Sequence, residues 1–264
     1  MKGLRACLLF LGVAACGDSA PVVARSAPDV AAAIAPAHPH EVVVFATQSL
    51  AAPFRRLAAA YERAHAGSRV TLRCEGGAAL LAAMVAEQRA DVVAIGDSSL
   101  MSRFAAAALL ESGSPTELAR SRVAIAVATG NPLAIAVADD LVKPGVRAAL
   151  GKRSSSIGRY GRWLLSHRGV ECRPAVETDT ADQLIAAVAD GRADAAIVYA
   201  TTALPEGVVR IAVPEVDNQP VLYSISVVRG AAEPQAARAF RALALGTEGQ
   251  SILREAGFLP IGAK

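Results

Sequence analysis

The chain has 264 residues, long enough for one large domain or for two lobes that each bury a core. Hydrophobic residues make up 53% but aromatics only 4%, so Ala, Val and Leu must build that core. The 27 Lys and Arg against 24 Asp and Glu leave +3, and once Lys2 and Arg5 are set aside the chain is nearly neutral, without the basic stripe that nucleic-acid binding needs.

Residues 1–15 read as an export signal. Lys2 and Arg5 precede the apolar run Leu8–Leu9–Phe10–Leu11, which is too short to span a bilayer as a helix. The small residues Val13–Ala14–Ala15 before Cys16 resemble the bacterial lipobox, which implies cleavage before Cys16 and a lipid anchor on its sulfur. The other reading is an ordinary signal peptide cut near Ala20. Residues 16–40, rich in Ala, Pro, Ser and Val, suit a flexible tether.

From Glu41 strands and helices alternate. Val42–Val43–Val44–Phe45 is a buried strand that stops at Thr47–Gln48. Phe54, Leu57, Ala58, Tyr61 and Ala64 then mark one face of a helix from Ala51 to His65, with Pro53 in its first turn. Ser49 lies in the turn between them. Its hydroxyl either caps the helix or, with the neighbouring amides, faces a ligand beyond the strand's carboxyl end. Arg69–Leu72 is a strand, Cys74 to Ala78 a loop and Ala79 to Gln88 a helix. Asp91–Ile95 is the next strand, with a helix from Ser98 through Leu110.

Arg122–Ala128 opens a second series. Val146–Leu150 precedes Ser154–Ser156 and a helix Ile157 to His167; Pro174–Val176 precedes Thr178–Thr180 and a helix Ala181 to Asp190. Asp194–Tyr199 is a buried strand ending at Thr201–Thr202. Strands at Val208–Val213 and Val221–Val228 and helices at Gln235–Leu245 and Glu248–Ala256 complete the chain. Continuous apolar strands alternating with helices predict an α/β fold of mostly parallel sheets flanked by helices.

Each half places polar or Gly-rich loops at strand ends directly before helices. If the halves face each other, several helix N-termini converge on one cleft and offer hydroxyls and amides to a small dianion. Polar loops are also usual at these places in any α/β protein. The four His and the late cysteines Cys74 and Cys172 have no zinc-type spacing, so no metal cation and no cofactor are expected. Cys74 and Cys172 fall in different lobes and are expected to be free.

Val44–Phe45–Ala46 with Ser49–Leu50, then Ala60–Tyr61–Glu62, Ala90–Asp91–Val92, Gly130–Asn131–Pro132, Gly158–Arg159–Tyr160, Asp194 to Ala200 and Thr247–Glu248–Gly249–Gln250, resemble the periplasmic molybdate-binding proteins of ABC transporters. The resemblance runs from Val42 to Phe258. It implies a two-lobed type II periplasmic-binding fold that hinges shut on molybdate or tungstate and passes it to an ABC permease, as a monomer and without chemistry on the ligand. The lobes implied are 41–121 with 230–264, and 122–229. By resemblance the ligand contacts are the Ser49 hydroxyl, the amides of Gly77, Ile157 and Ala181, and the Tyr199 phenol. The family's second-loop serine is replaced here by Gly77, which removes one hydroxyl donor. Glu75 beside it is expected to turn to solvent. The alternatives are another oxyanion (sulfate or phosphate) on the same fold, a lipoprotein sensor domain, or an enzyme. The last lacks support, because Ser49 is in no Gly-x-Ser-x-Gly elbow and neither His65 nor His167 has an evident nucleophile partner.

Overall fold

The computed structural model describes residues 41–87, 89–113 and 115–262. The expected export signal, the expected lipidation at Cys16 and the expected tether lie outside them. The chain runs β1 (Glu41–Thr47), a 3₁₀ turn (Gln48–Leu50), α1 (Ala51–Ala64), β2 (Arg69–Glu75), α2 (Gly77–Glu87), β3 (Val92–Ile95), α3 (Ser98–Ala106) and β4 (Thr116–Ser121). There follow β5 (Val123–Ala128), β6 (Ala148–Gly151), α4 (Ser156–His167), β7 (Val176–Thr178), α5 (Ala181–Ala189), β8 (Ala195–Tyr199) and β9 (Val208–Ala212). Last come β10 (Val221–Val227), α6 (Pro234–Leu245) and α7 (Thr247–Glu255). Among the described residues no helix is long and apolar enough to cross a membrane.

Two five-stranded sheets form two lobes, ordered β2-β1-β3-β10-β4 and β7-β6-β8-β5-β9. The orders match position by position, so the architecture is repeated where the sequence is not. The sheets are mixed, where mostly parallel ones are expected from the apolar runs. β1 pairs parallel with β2 and β3, and β6 with β7 and β8, while β10 and β5 run antiparallel to both neighbours. β5 and β10 arrive directly from the other lobe, with at most the 3₁₀ turn Glu215–Asp217 on the way, and no α-helix imposes a parallel return on them.

The chain leaves the first sheet at Ser121 and enters the second at Val123. It returns between Ala212 and Val221. The expected return near Gly230 is therefore too late. Val221–Val227 belongs to the first lobe because it hydrogen-bonds β3 and β4. Asn218 ties the two crossings together: its Oδ1 accepts from the Val123 amide at 3.1 Å and its Nδ2 donates to the Val123 carbonyl at 2.7 Å, in a buried setting.

The cores follow the apolar pattern. α1 buries Phe54, Leu57 and Tyr61, and the rings of Phe54 and Tyr61 meet Phe240 of α6 at 6.1 and 5.7 Å. Each such side chain contributes roughly 1.5–3 kcal/mol by burial. Buried Asp91, just before β3, serves the backbone: its carboxylate accepts from Val43 N and from Ala232 N, both at 2.8 Å, and so ties β1 to the approach to α6. α3 stops at Ala106, short of the expected Leu110, because Leu110 is drawn into a bridge with Val228.

Candidate functional site

The parallel strands of both lobes end at one cavity of about 500 Å³. β1 delivers Thr47, Gln48 and Ser49, β2 delivers Gly76 and Gly77, and β3 delivers Gly96 and Asp97. From the opposite lobe, β6 brings Ser154 to Ile157, β7 brings Asp179 to Ala181, and β8 brings Tyr199. Carboxyl ends of parallel strands are where α/β sheets bind ligands, since each loop there opens onto a helix N-terminus.

Ser49, Gly77, Ile157, Ala181 and Tyr199 all line this cavity. Ser49 sits in the 3₁₀ turn, and its Oγ lies 3.0 Å from the phenol oxygen of Tyr223 on β10. Gly77 opens α2. A Cβ there would lie 2.9 Å from Leu100 Cδ2, so the glycine lets Leu100 pack against the loop. Ile157 and Ala181 have buried side chains, which leaves their backbone as the part able to meet a ligand. Caps keep both helix ends in order. The Ser155 hydroxyl accepts from Gly158 N at 3.1 Å in α4. In α5 the Thr180 hydroxyl accepts from Gln183 N at 3.3 Å, while Gln183 Oε1 accepts from Asp179 N and Thr180 N. Amides of a first helical turn have no acceptor within their own helix, so Ile157 and Ala181 can offer theirs to an anion.

Tyr199 ends β8 with 8% of its surface exposed, and its ring meets Tyr160 edge-on at 6.5 Å. Burial pushes its phenol well up, against the opposing pull of a hydrogen bond to Ser156, so it stays protonated and can donate. Burial acts the same way on Tyr223 and Tyr160.

Of the charged residues at the cavity, which include Arg103 and Asp182, four are held in ion pairs: Asp97, Arg159, Asp179 and Glu75. Asp97 caps α3 by accepting from Ser99 N at 3.1 Å and Leu100 N at 3.2 Å, and it receives the Arg159 guanidinium of the other lobe. Lys152 pairs with Asp179 at 2.7 Å. Glu75 departs from expectation. It lines the cavity instead of turning wholly to solvent, and its carboxylate is neutralised by Arg73 Nε at 2.6 Å. Asp97, Ser156, Arg159 and Tyr223 also bear on the site, although sequence reasoning did not single them out as site residues. A carboxylate just before α3 and a hydroxyl at the first position of α4 were the available signals for the first two. Cys74 on β2 and Cys172 after α4 are free. Among the described residues no group of three His, Cys, Asp or Glu is placed to hold a metal ion.

A family model of bacterial extracellular solute-binding proteins matches residues 42–259. The molybdate-binding protein ModA of Mycobacterium tuberculosis H37Rv is 30% identical over 258 residues, spanning 97% of this chain and 96% of that one. The periplasmic molybdate-binding protein of Azotobacter vinelandii superposes with a TM-score of 0.71 at 18% identity, covering 83% of this chain and 98% of its own. The sulfate-binding protein SubI of M. tuberculosis H37Rv does so with a TM-score of 0.73 at 18% identity, covering 84% and 88%. The two superpositions speak for the shared fold. The family match extends over both lobes and every loop of the cavity, and the chain therefore belongs to the bacterial extracellular solute-binding proteins.

Proposed function

We propose that this solute-binding protein captures molybdate, or tungstate of similar size and charge, and hands it to an ABC permease in the membrane. One arrangement carries the reading: Ser49 and Gly77 from one lobe, and Ile157, Ala181 and Tyr199 from the other, border the same cavity. A fully ionised tetrahedral oxyanion accepts hydrogen bonds and donates none, and these groups are uncharged donors, four at or just before helix starts and the Tyr199 phenol at the end of β8. Two chain crossings make a hinge, and a ligand held from both sides stabilises the closed form. The likeness to ModA of M. tuberculosis supports the choice of oxyanion. On the same reading the protein works in the periplasm as a monomer, with Cys16 carrying the lipid that keeps it at the membrane.

A thermal-shift series with molybdate, tungstate, sulfate and phosphate tests this. A ligand at about 100 times its dissociation constant adds about 2.7 kcal/mol of stability. Stabilisation by the two heavier anions is expected; a shift with phosphate alone would overturn the choice of ligand.

A further inference from the structure

Ser49 has one proton, and the geometry around it decides where that proton points. Its Oγ is 3.0 Å from the Tyr223 phenol oxygen, and either atom could donate. An oxyanion without protons resolves the ambiguity. A serine in contact with it must donate to it, so the bond with the phenol can be made only if the phenol is the donor. The Tyr223 oxygen can then accept from Thr201, whose hydroxyl also interacts with it. Thr201 Oγ1 also lies 3.4 Å from the Ser121 hydroxyl at the end of β4, whose proton is directed to the Arg122 carbonyl. The row that reaches the cavity is therefore Thr201, Tyr223, Ser49, and Thr201 enters it from the second lobe. Aligned hydroxyls polarise one another and strengthen the last donor.

The phenol cannot swing out of this row. Tyr223 is completely buried, and Phe258 meets its ring edge-on at 5.0 Å. On the other side the ring presses on Gly96, where a Cβ would come within 2.4 Å of Cε1 and 2.6 Å of Cζ. Only glycine at 96 admits the ring, so the cavity loop itself fixes the phenol.

We propose that Tyr223 is a positioning residue for anion recognition, donating to Ser49 so that the serine proton is presented to the ligand. The inference rests on the oxyanion reading of the site. It also bears on selectivity. Hydrogen phosphate carries a proton that needs an acceptor, and a Ser49 already receiving from Tyr223 has one lone pair left to offer it instead of two. Removing the phenol hydroxyl frees the second.

Calorimetric titration of molybdate and of phosphate at neutral pH into the unaltered protein, Tyr223→Phe, Ser49→Ala and the double variant separates the possibilities. Tyr223→Phe should weaken molybdate about 3- to 10-fold in the otherwise unaltered protein, but by less than about twofold in the Ser49→Ala background. The preference for molybdate over phosphate should shrink in the same variant. Thr201→Val, which takes a hydroxyl from the row without touching the Tyr223 ring, should move both quantities the same way by less. Equal losses from Tyr223→Phe in both backgrounds, or an unchanged preference, would overturn the positioning role while leaving the site in place. No binding of molybdate to the unaltered protein, or no loss from Ser49→Ala, would overturn the oxyanion reading and the inference with it.

Discussion

The Ser156 hydroxyl, in the first turn of α4, donates to the Gly96 carbonyl 3.1 Å away on the opposite lobe. One helical turn further on, Arg159 reaches back to Asp97, the residue after Gly96. The start of α4 is therefore tied to the loop before α3 by two bonds across the cleft, beside the groups expected to hold the ligand. Such contacts form only when the lobes are together, so on the hinge-closure reading proposed above they favour the closed form.

Arg159→Gln should consequently raise the dissociation constant for molybdate. The guanidinium is 42% exposed, and an ion pair of that kind is worth about 0.2–1 kcal/mol, or up to about fivefold in affinity. Asp97 keeps its bonds to Ser99 and Leu100, so the melting temperature without ligand should scarcely move. Titration calorimetry alongside thermal melts checks both, and an unchanged dissociation constant would remove the tie from the hinge equilibrium.

Tyr199→Phe removes a neutral donor and keeps the ring against Tyr160. A lost hydrogen bond of this type costs about 0.5–1.5 kcal/mol, so affinity should fall by up to about tenfold while the ligand-free protein melts nearly as before. Unchanged affinity in a molybdate titration would take Tyr199 out of the site.

Gly77→Ser should act in the opposite direction. The added hydroxyl supplies a second-loop donor, and the Leu100 methyl group that a Cβ would meet at 2.9 Å is the far end of a flexible side chain. We expect affinity to rise by up to about tenfold, with a stability loss of about 1 kcal/mol from the crowding of Leu100. Weaker binding would mean that the side chain obstructs the ligand instead of helping it.

Away from the cleft, Asp140 makes stability depend on acid. A hydrogen bond from Lys143 at 2.7 Å, then those from the amides of Ala136 and Val137 at 2.7 and 3.0 Å, hold its carboxyl down to about 2. A folded-state value below the unfolded one, near 4, means that this stabilisation is complete above about pH 4 and is lost as pH falls toward 2. Asp140→Asn should cost about 1–2 kcal/mol at neutral pH and little at pH 2, read from denaturant melts at both. An equal loss at the two values would show that charge is not the cause.

Some of this was readable from local pattern. The apolar run before Thr47 and the three- and four-residue spacing from Phe54 to Ala64 determine β1 and α1, because one strand face or one helix stripe must leave water wherever it ends up. β4 was not readable. Thr116–Ser121 is half polar, and among the described residues β10 is its only strand partner. An edge strand need not be apolar on both faces.

Local pattern gave the polar loops before the helices, because a hydroxyl or an amide at a helix start is a local feature; the five residues proposed to meet the anion came from the resemblance to molybdate-binding proteins, and the structure brings them to one cavity. Sequence could not tell which lobe owns β10, that Arg159 would find Asp97, or that Tyr223 would stand behind Ser49. Those facts depend on pairs separated by up to 174 positions, as with Ser49 and Tyr223. Nothing in the neighbourhood of either residue encodes the other; only the closure of the two sheets around a shared cavity brings them within hydrogen-bonding distance.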